Sequence, residues 1–161
     1  MRRQFALAGE PLDQVDDEVR QHGICAAHYF LEHENRDAVE KLGQQCRDMI
    51  ASYAGMSDAY MHQIGDINIA RAWKQIDAPA LVIYGTSDPV TSADESRYLV
   101  TAINSFHPDC ATYTEIPGMG HDFAQHKTPA DFMNHLRDTK APYSQEFLSV
   151  VLDWLAKQSR G

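Results

Sequence analysis

Apolar positions follow two rhythms along this chain. From about residue 11 to residue 78 they recur every three to four residues, the period of an amphipathic helix. Residues 1–10 carry no clear signal and read as an extended lead-in, whereas 11 to about 34 reads as one helix with Val15, Val19, Ala26 and Phe30 near a common face. Asn35 is placed to cap a second helix, whose apolar residues Val39, Leu42, Cys46, Met49, Ile50 and Tyr53 keep helical spacing until Gly55 breaks it. Shorter helices are expected over about 58–63 and 67–73. From residue 79 the rhythm changes. Ala80, Leu81, Val82, Ile83 and Tyr84 form an unbroken apolar run between Pro79 and Gly85, the pattern of a strand buried on both faces of a parallel sheet. Residues 111–116 read as a second strand, ending in a Pro117-Gly118-Met119-Gly120 turn. Between the strands, Ser92 and Glu95 are spaced as a capping box, and Leu99, Val100, Ile103 and Phe106 form one apolar helix face. Strand, helix and strand make a βαβ unit, whose strands are parallel and whose crossover is right-handed. Thr128 and Pro129 begin a further helix, and Lys140-Ala141-Pro142 marks a loop. Ser144 caps a closing helix with Phe147, Leu148, Val151, Trp154 and Leu155 on its apolar face and Lys157 and Arg160 at its C-terminal dipole. The predicted class is α/β, with few parallel strands (about 80–85 and 111–116) and flanking helices.

Each strand of the βαβ unit delivers one acid–base residue just past its end: Asp88 after the first and His121 after the second, 33 positions apart in sequence. Parallel strands end on the same edge of a sheet, where open α/β folds place their ligands. A carboxylate beside an imidazole fixes the ring tautomer and stabilises the imidazolium, which is what a base serving a nucleophile requires. Alone, an Asp after a strand is a common turn former and a lone His a common surface or core group. The combination of Gly85-x-x-Asp88-Pro89-Val90, a capped helix and Gly118-x-Gly120-His121, in that order, resembles the C-terminal acid–histidine half of an α/β-hydrolase. That resemblance implies Asp88 as triad acid, His121 as triad base, and hydrolysis of an ester, thioester or peptide-like acyl bond through an acyl-enzyme. It also implies two parts. Residues 1–78 are similar to a helical cap that covers the active site, with Tyr53, Met56, Tyr60 and Met61 as candidate pocket walls against ordinary helix packing. Residues 79–161 are similar to the end of the hydrolase core.

The same template requires a nucleophile on a sharp turn between a strand and a helix, written G-x-S-x-G. Two stretches come near it. Gly55-Met56-Ser57-Asp58-Ala59 has the serine, and Gly23-Ile24-Cys25-Ala26-Ala27 has a cysteine in that place. Neither follows a buried strand: residues 45–53 have helical spacing, and 16–22 are too charged. The expectation is therefore a C-terminal fragment, inactive alone, whose missing N-terminal half or a partner chain supplies the nucleophile and oxyanion hole. The alternatives are a small complete hydrolase using Cys25 or Ser57, and a non-catalytic module that binds a partner along the sheet edge.

Composition narrows the partners. With 161 residues the length suits one domain, and 43% hydrophobic residues suffice for a core. The net charge of −9 splits evenly, −5 before Pro79 and −4 from it onward, which argues against nucleic acid and anionic membrane surfaces. No run of 18 apolar residues exists to span a membrane, and Met1-Arg2-Arg3 is not followed by the apolar stretch of a signal peptide. Cys25, Cys46 and Cys110 are odd in number and widely spaced, and read as reduced packed thiols, which favours a cytoplasmic setting. Among the histidines, His28 and Glu32 share a helix face but His28 and His33 do not, so a solvated face is expected there, without metal or organic cofactor.

Overall fold

A computed structural model describes residues 2–7, 9, 11–134 and 141–159, so the expectations at Lys140 and Arg160 lie outside the described residues. The chain divides into two compact units, Met1–Ile69 and Ala70–Gly161. The segment 70–78 belongs to the second, where the Trp73 ring packs edge-on against Tyr98 at 6.1 Å and His107 Nε2 meets the Lys74 carbonyl at 2.9 Å.

The first unit is helical: α1 (Arg2–Leu7), α2 (Leu12–Ala26), a π-helical turn (Ala27–Leu31), α3 (Arg36–Glu40), α4 (Gln44–Ser52) and α5 (Asp58–Gly65). Three expectations are corrected here. The lead-in folds as α1, tied to α2 by an ion pair of Arg2 with Asp16 at 3.0 Å. The first long helix widens after Ala26 and stops, with His33 in the left-handed region at φ 55°. The second is two helices. Asn35 does cap α3, its side chain accepting the Ala38 N–H, but a turn at 41–43 interrupts the run. Leu42 falls in that turn and is 48% exposed, while Cys46, Met49 and Ile50 on α4 are buried. The core comprises Cys25, Tyr29, Val39, Cys46, Met49, Ile50 and Met61. Within it Cys25 and Cys46 are joined as a disulfide, which corrects the reading of both as reduced thiols; Cys110 alone is free. Spacing in sequence cannot reveal a pair brought together by two packed helices. Disulfides persist in oxidising compartments, so the cysteines no longer argue for the cytoplasm. Beside this core Asp58 accepts hydrogen bonds from Tyr29 Oη (2.9 Å) and Arg36 Nε (2.8 Å).

The second unit holds α6 (Ile69–Trp73, straddling the division), β1 (Ala80–Gly85), α7 (Ala93–Phe106), β2 (Ala111–Ile116), α8 (Pro129–Asn134) and α9 (Gln145–Gln158). β1 and β2 pair in parallel along their whole length, Ala80 opposite Ala111 through Gly85 opposite Ile116. The capping box starts α7: the Glu95 N–H donates to Ser92 Oγ, and the Ser92 N–H donates back to Glu95 Oε2. α7 covers the sheet face of Tyr113 and Glu115, with the Arg97 guanidinium 5.1 Å from the Tyr113 ring centre and 3.1 Å from Glu115. α9 lies on the opposite face, where Leu81, Thr112, Thr114, Val150 and Trp154 line a groove of about 390 Å³. Ser144 caps α9 as expected, accepting the Phe147 N–H. Its apolar face is narrower than expected: Phe147, Val151 and Trp154 are half-buried, whereas Leu148 and Leu155 are 49% and 50% exposed. A two-stranded sheet is too narrow to cover the wider stripe. No described helix is long and apolar enough to cross a membrane.

Candidate functional site

Both strands run in the same direction, so their C-terminal turns lie side by side, and several hydrogen bonds lock the turns together. The Ser87 N–H donates to the Met119 carbonyl (3.0 Å), the Gly118 N–H to Thr86 Oγ1 (2.8 Å), and Ser87 Oγ to the His126 carbonyl (2.9 Å). Gly85 is required for this approach, because a Cβ there would collide with the Met119 carbonyl. Gly118 supplies the φ of 69° that starts the second turn.

Asp88 and His121 meet across these turns. His121 Nδ1 lies 3.0 Å from Asp88 Oδ2. Ionised carboxylates only accept, so Nδ1 carries the hydrogen and a neutral ring offers its lone pair at Nε2. The two side chains differ in exposure: Asp88 is 8% exposed and His121 53%. Asp88 accepts three further bonds, from the Val90 N–H (2.6 Å), the Thr91 N–H (3.1 Å) and Thr91 Oγ1 (2.8 Å). Burial pushes its carboxyl pKa up, but the hydrogen bonds from His121, Thr91 and Val90 outweigh burial and hold it below the ordinary value of 3.8. Asp88 is thus both a turn former and the partner of His121. Thr91 was not singled out from the sequence, yet Asp-x-x-Thr is readable as a side chain folding onto the backbone two and three residues ahead. Beyond Thr91, Trp73, Val90, Tyr98 and Leu99 line a groove of about 360 Å³.

Neither near-miss nucleophile has the required setting. Cys25 is 1% exposed and disulfide-bonded, and Ser57 is the N-cap of α5, accepting the Tyr60 N–H. The complete-hydrolase alternative through Cys25 is thereby corrected: a disulfide sulfur is not a free thiolate. Among the described residues, no Ser or Cys hydrogen-bonds to His121 Nε2. Of the four candidate pocket walls, Met61 is buried in the first unit's core and Tyr53 packs parallel to Tyr29 at 6.2 Å, while Met56 and Tyr60 are 45% and 53% exposed.

His28, Glu32 and Glu34 could hold a cation, their ligand atoms lying within 4.8 Å of one another. The left-handed turn at His33, closed by the Glu34 N–H on the His28 carbonyl at 3.1 Å, brings in Glu34, which spacing alone did not. His28 Nδ1 already meets both carboxylates, at 2.9 and 3.2 Å, so the three side chains contact one another as a self-contained polar cluster.

Compared with known protein-family models, curated proteins and solved structures, the chain matches none of them.

Proposed function

We propose that this chain is the acid–histidine half of an α/β-hydrolase, in which His121 takes the proton from a nucleophile supplied by a preceding segment or a partner chain. One observation carries the reading: a buried, fully hydrogen-bonded Asp88 on Nδ1 of an exposed His121, at the ends of adjacent parallel strands. In this reading Asp88 keeps the ring in the tautomer with Nε2 free and stabilises the imidazolium formed when the nucleophile attacks. The tetrahedral oxyanion needs donors from the same missing half. The substrate is an ester, thioester or peptide-like acyl compound, and the chain alone turns over none of them.

The test starts from the coding sequence upstream of Met1. An in-frame G-x-S-x-G is expected there, and the extended protein should hydrolyse p-nitrophenyl esters. Asp88→Ala should lower kcat by roughly 10⁴ and His121→Ala by roughly 10⁶, the scale on which such triads fail. An extended protein with no acyl hydrolysis, or with activity indifferent to both substitutions, overturns the proposal.

A second reading has its own observation. β1 pairs with β2 on one side only, so among the described residues its other edge offers an apolar strand to a partner polypeptide. That module would leave the Asp88–His121 pair as an inherited structural element.

A further inference from the structure

His126 is an imidazole to which the proposed chemistry assigns no role. Its side chain is 2% exposed, and a buried polar ring is costly unless it is paired. Its Nε2 lies 3.1 Å from each oxygen of Asp122, and Asp122 Oδ1 also accepts the Ala124 N–H at 3.0 Å. The ring stands edge-on to Phe132, with centres 5.0 Å apart. Its backbone is tied to both turns of the site: the His126 N–H donates to the Gly118 carbonyl (2.7 Å), and its carbonyl accepts from Ser87 Oγ, one residue before Asp88. Gly120 packs against the pair, since a Cβ there would stand 2.7 Å from His126 Cδ2 and 2.9 Å from Asp122 Oδ1. The intervening turn is strained, with Phe123 in the left-handed region at φ 62°.

Asp122 directly follows His121. When its carboxylate is held on His126, the turn can adopt fewer arrangements, and in this one the preceding side chain reaches Asp88. We infer that Asp122 and His126 are a positioning pair: a buried imidazole–carboxylate clasp that closes the 120–126 turn and aims His121 at Asp88. His126 is not itself the base, because its Nε2 is engaged and enclosed while His121 is exposed. The inference rests on the acid–base reading above, and deepens it by naming what fixes the base.

The test reads the His121 Nδ1 proton by NMR on the ¹⁵N-labelled full chain at low temperature, assigned by its loss in His121→Ala. In the unaltered protein a downfield resonance is expected for a proton held on a carboxylate; if it is missing, the acid–base reading itself fails, and the inference with it. His126→Leu keeps apolar bulk but has no donor, and should lose the resonance. His126→Gln places an amide donor near the Nε2 position and should keep it, which separates hydrogen bonding from mere filling of space. Asp122→Ala, at a side chain 44% exposed, empties no core and should lose the resonance even if His126→Leu fails to fold. Retention of an unshifted resonance in Asp122→Ala overturns the inference while leaving the Asp88–His121 pair standing. Loss in His126→Gln as well as in His126→Leu also overturns it, because packing and not the clasp would then be responsible.

Discussion

The two units bury different kinds of residue. In the first, the enclosed side chains are a cluster of apolar residues sealed by a disulfide, with Tyr29 reaching out of it to Asp58. In the second, Leu81, Val82 and Ile83 in the middle of β1 are only half-buried, and full burial is concentrated at the strand ends. There Tyr84, Ile116, Met119, Ala124 and Phe132 are buried together with Ser87, Asp88 and His126; these three and Ser144 are the polar residues most deeply buried among those described. Burying polar groups costs free energy unless each is hydrogen-bonded, so a unit that concentrates them in its best-packed region holds those groups in fixed positions. The first unit's burial serves stability, and the second's serves geometry.

The largest expected effect separates the units by reduction. The Cys25–Cys46 bridge spans 21 residues, and removing a closed loop of that size from the unfolded chain's constraints costs about 3 kcal/mol. Thermal unfolding followed with and without a thiol reductant should show the first unit's transition falling, while the His121 Nδ1 resonance persists below that transition. Thiol titration of the unfolded protein should count one free group before reduction and three after. Three before reduction would mean that the bridge is absent, and the helical core would then rest on packing alone.

A smaller effect acts on the second unit. Asp88→Asn leaves the fold of the first unit untouched and removes charge-assisted acceptors from Val90, Thr91 and His121, at a cost of about 2 kcal/mol. Its pH signature is directional. The folded-state carboxyl pKa lies below 3.8, so the native protein binds this proton less readily than the unfolded chain. The resulting stabilisation is complete above about pH 4 and disappears as pH falls through the folded value. Asp58 contributes in the same direction to the first unit: burial pushes its carboxyl up, but bonds from Arg36 and Tyr29 outweigh that and lower it. Denaturant unfolding between pH 5 and 2, monitored at unit-specific probes, should therefore show acid destabilisation of both units in the unaltered chain. In Asp88→Asn the second unit's curve should flatten. An unchanged slope there would mean that Asp88 does not carry the acid sensitivity.

What the sequence disclosed follows a different line, local pattern against tertiary contact. Both strands, their parallel pairing, the Ser92 and Ser144 caps and the proximity of Asp88 to His121 were legible, because each rests on local pattern plus the geometry of one βαβ unit. The Cys25–Cys46 bridge, the break at 41–43 and the Asp122–His126 clasp were not. Each depends on how a chain turns between elements: Gly43 carries no helix-breaking signal stronger than Gly23, which lies inside α2. His126 was invisible for a different reason. A buried structural histidine and an exposed one look alike in sequence, and only the contact of Nε2 with Asp122 separates them.

The smallest expected effect tests the least enclosed part of the second unit. On α9, Val150 and Trp154 line the groove beside the sheet, while Leu148, Leu152 and Leu155 form a neighbouring stripe that is 49%, 63% and 50% exposed. A leucine already in water has little transfer free energy left to lose, so Leu152→Gln should change stability by less than about 0.5 kcal/mol. The melting temperature should also be the same at low and high protein concentration. A loss above about 1 kcal/mol that appears only at high concentration would show that the stripe is covered in solution by another copy of the chain, since self-association makes stability depend on concentration. The second unit would then complete in an assembly the enclosure that the first unit achieves by itself.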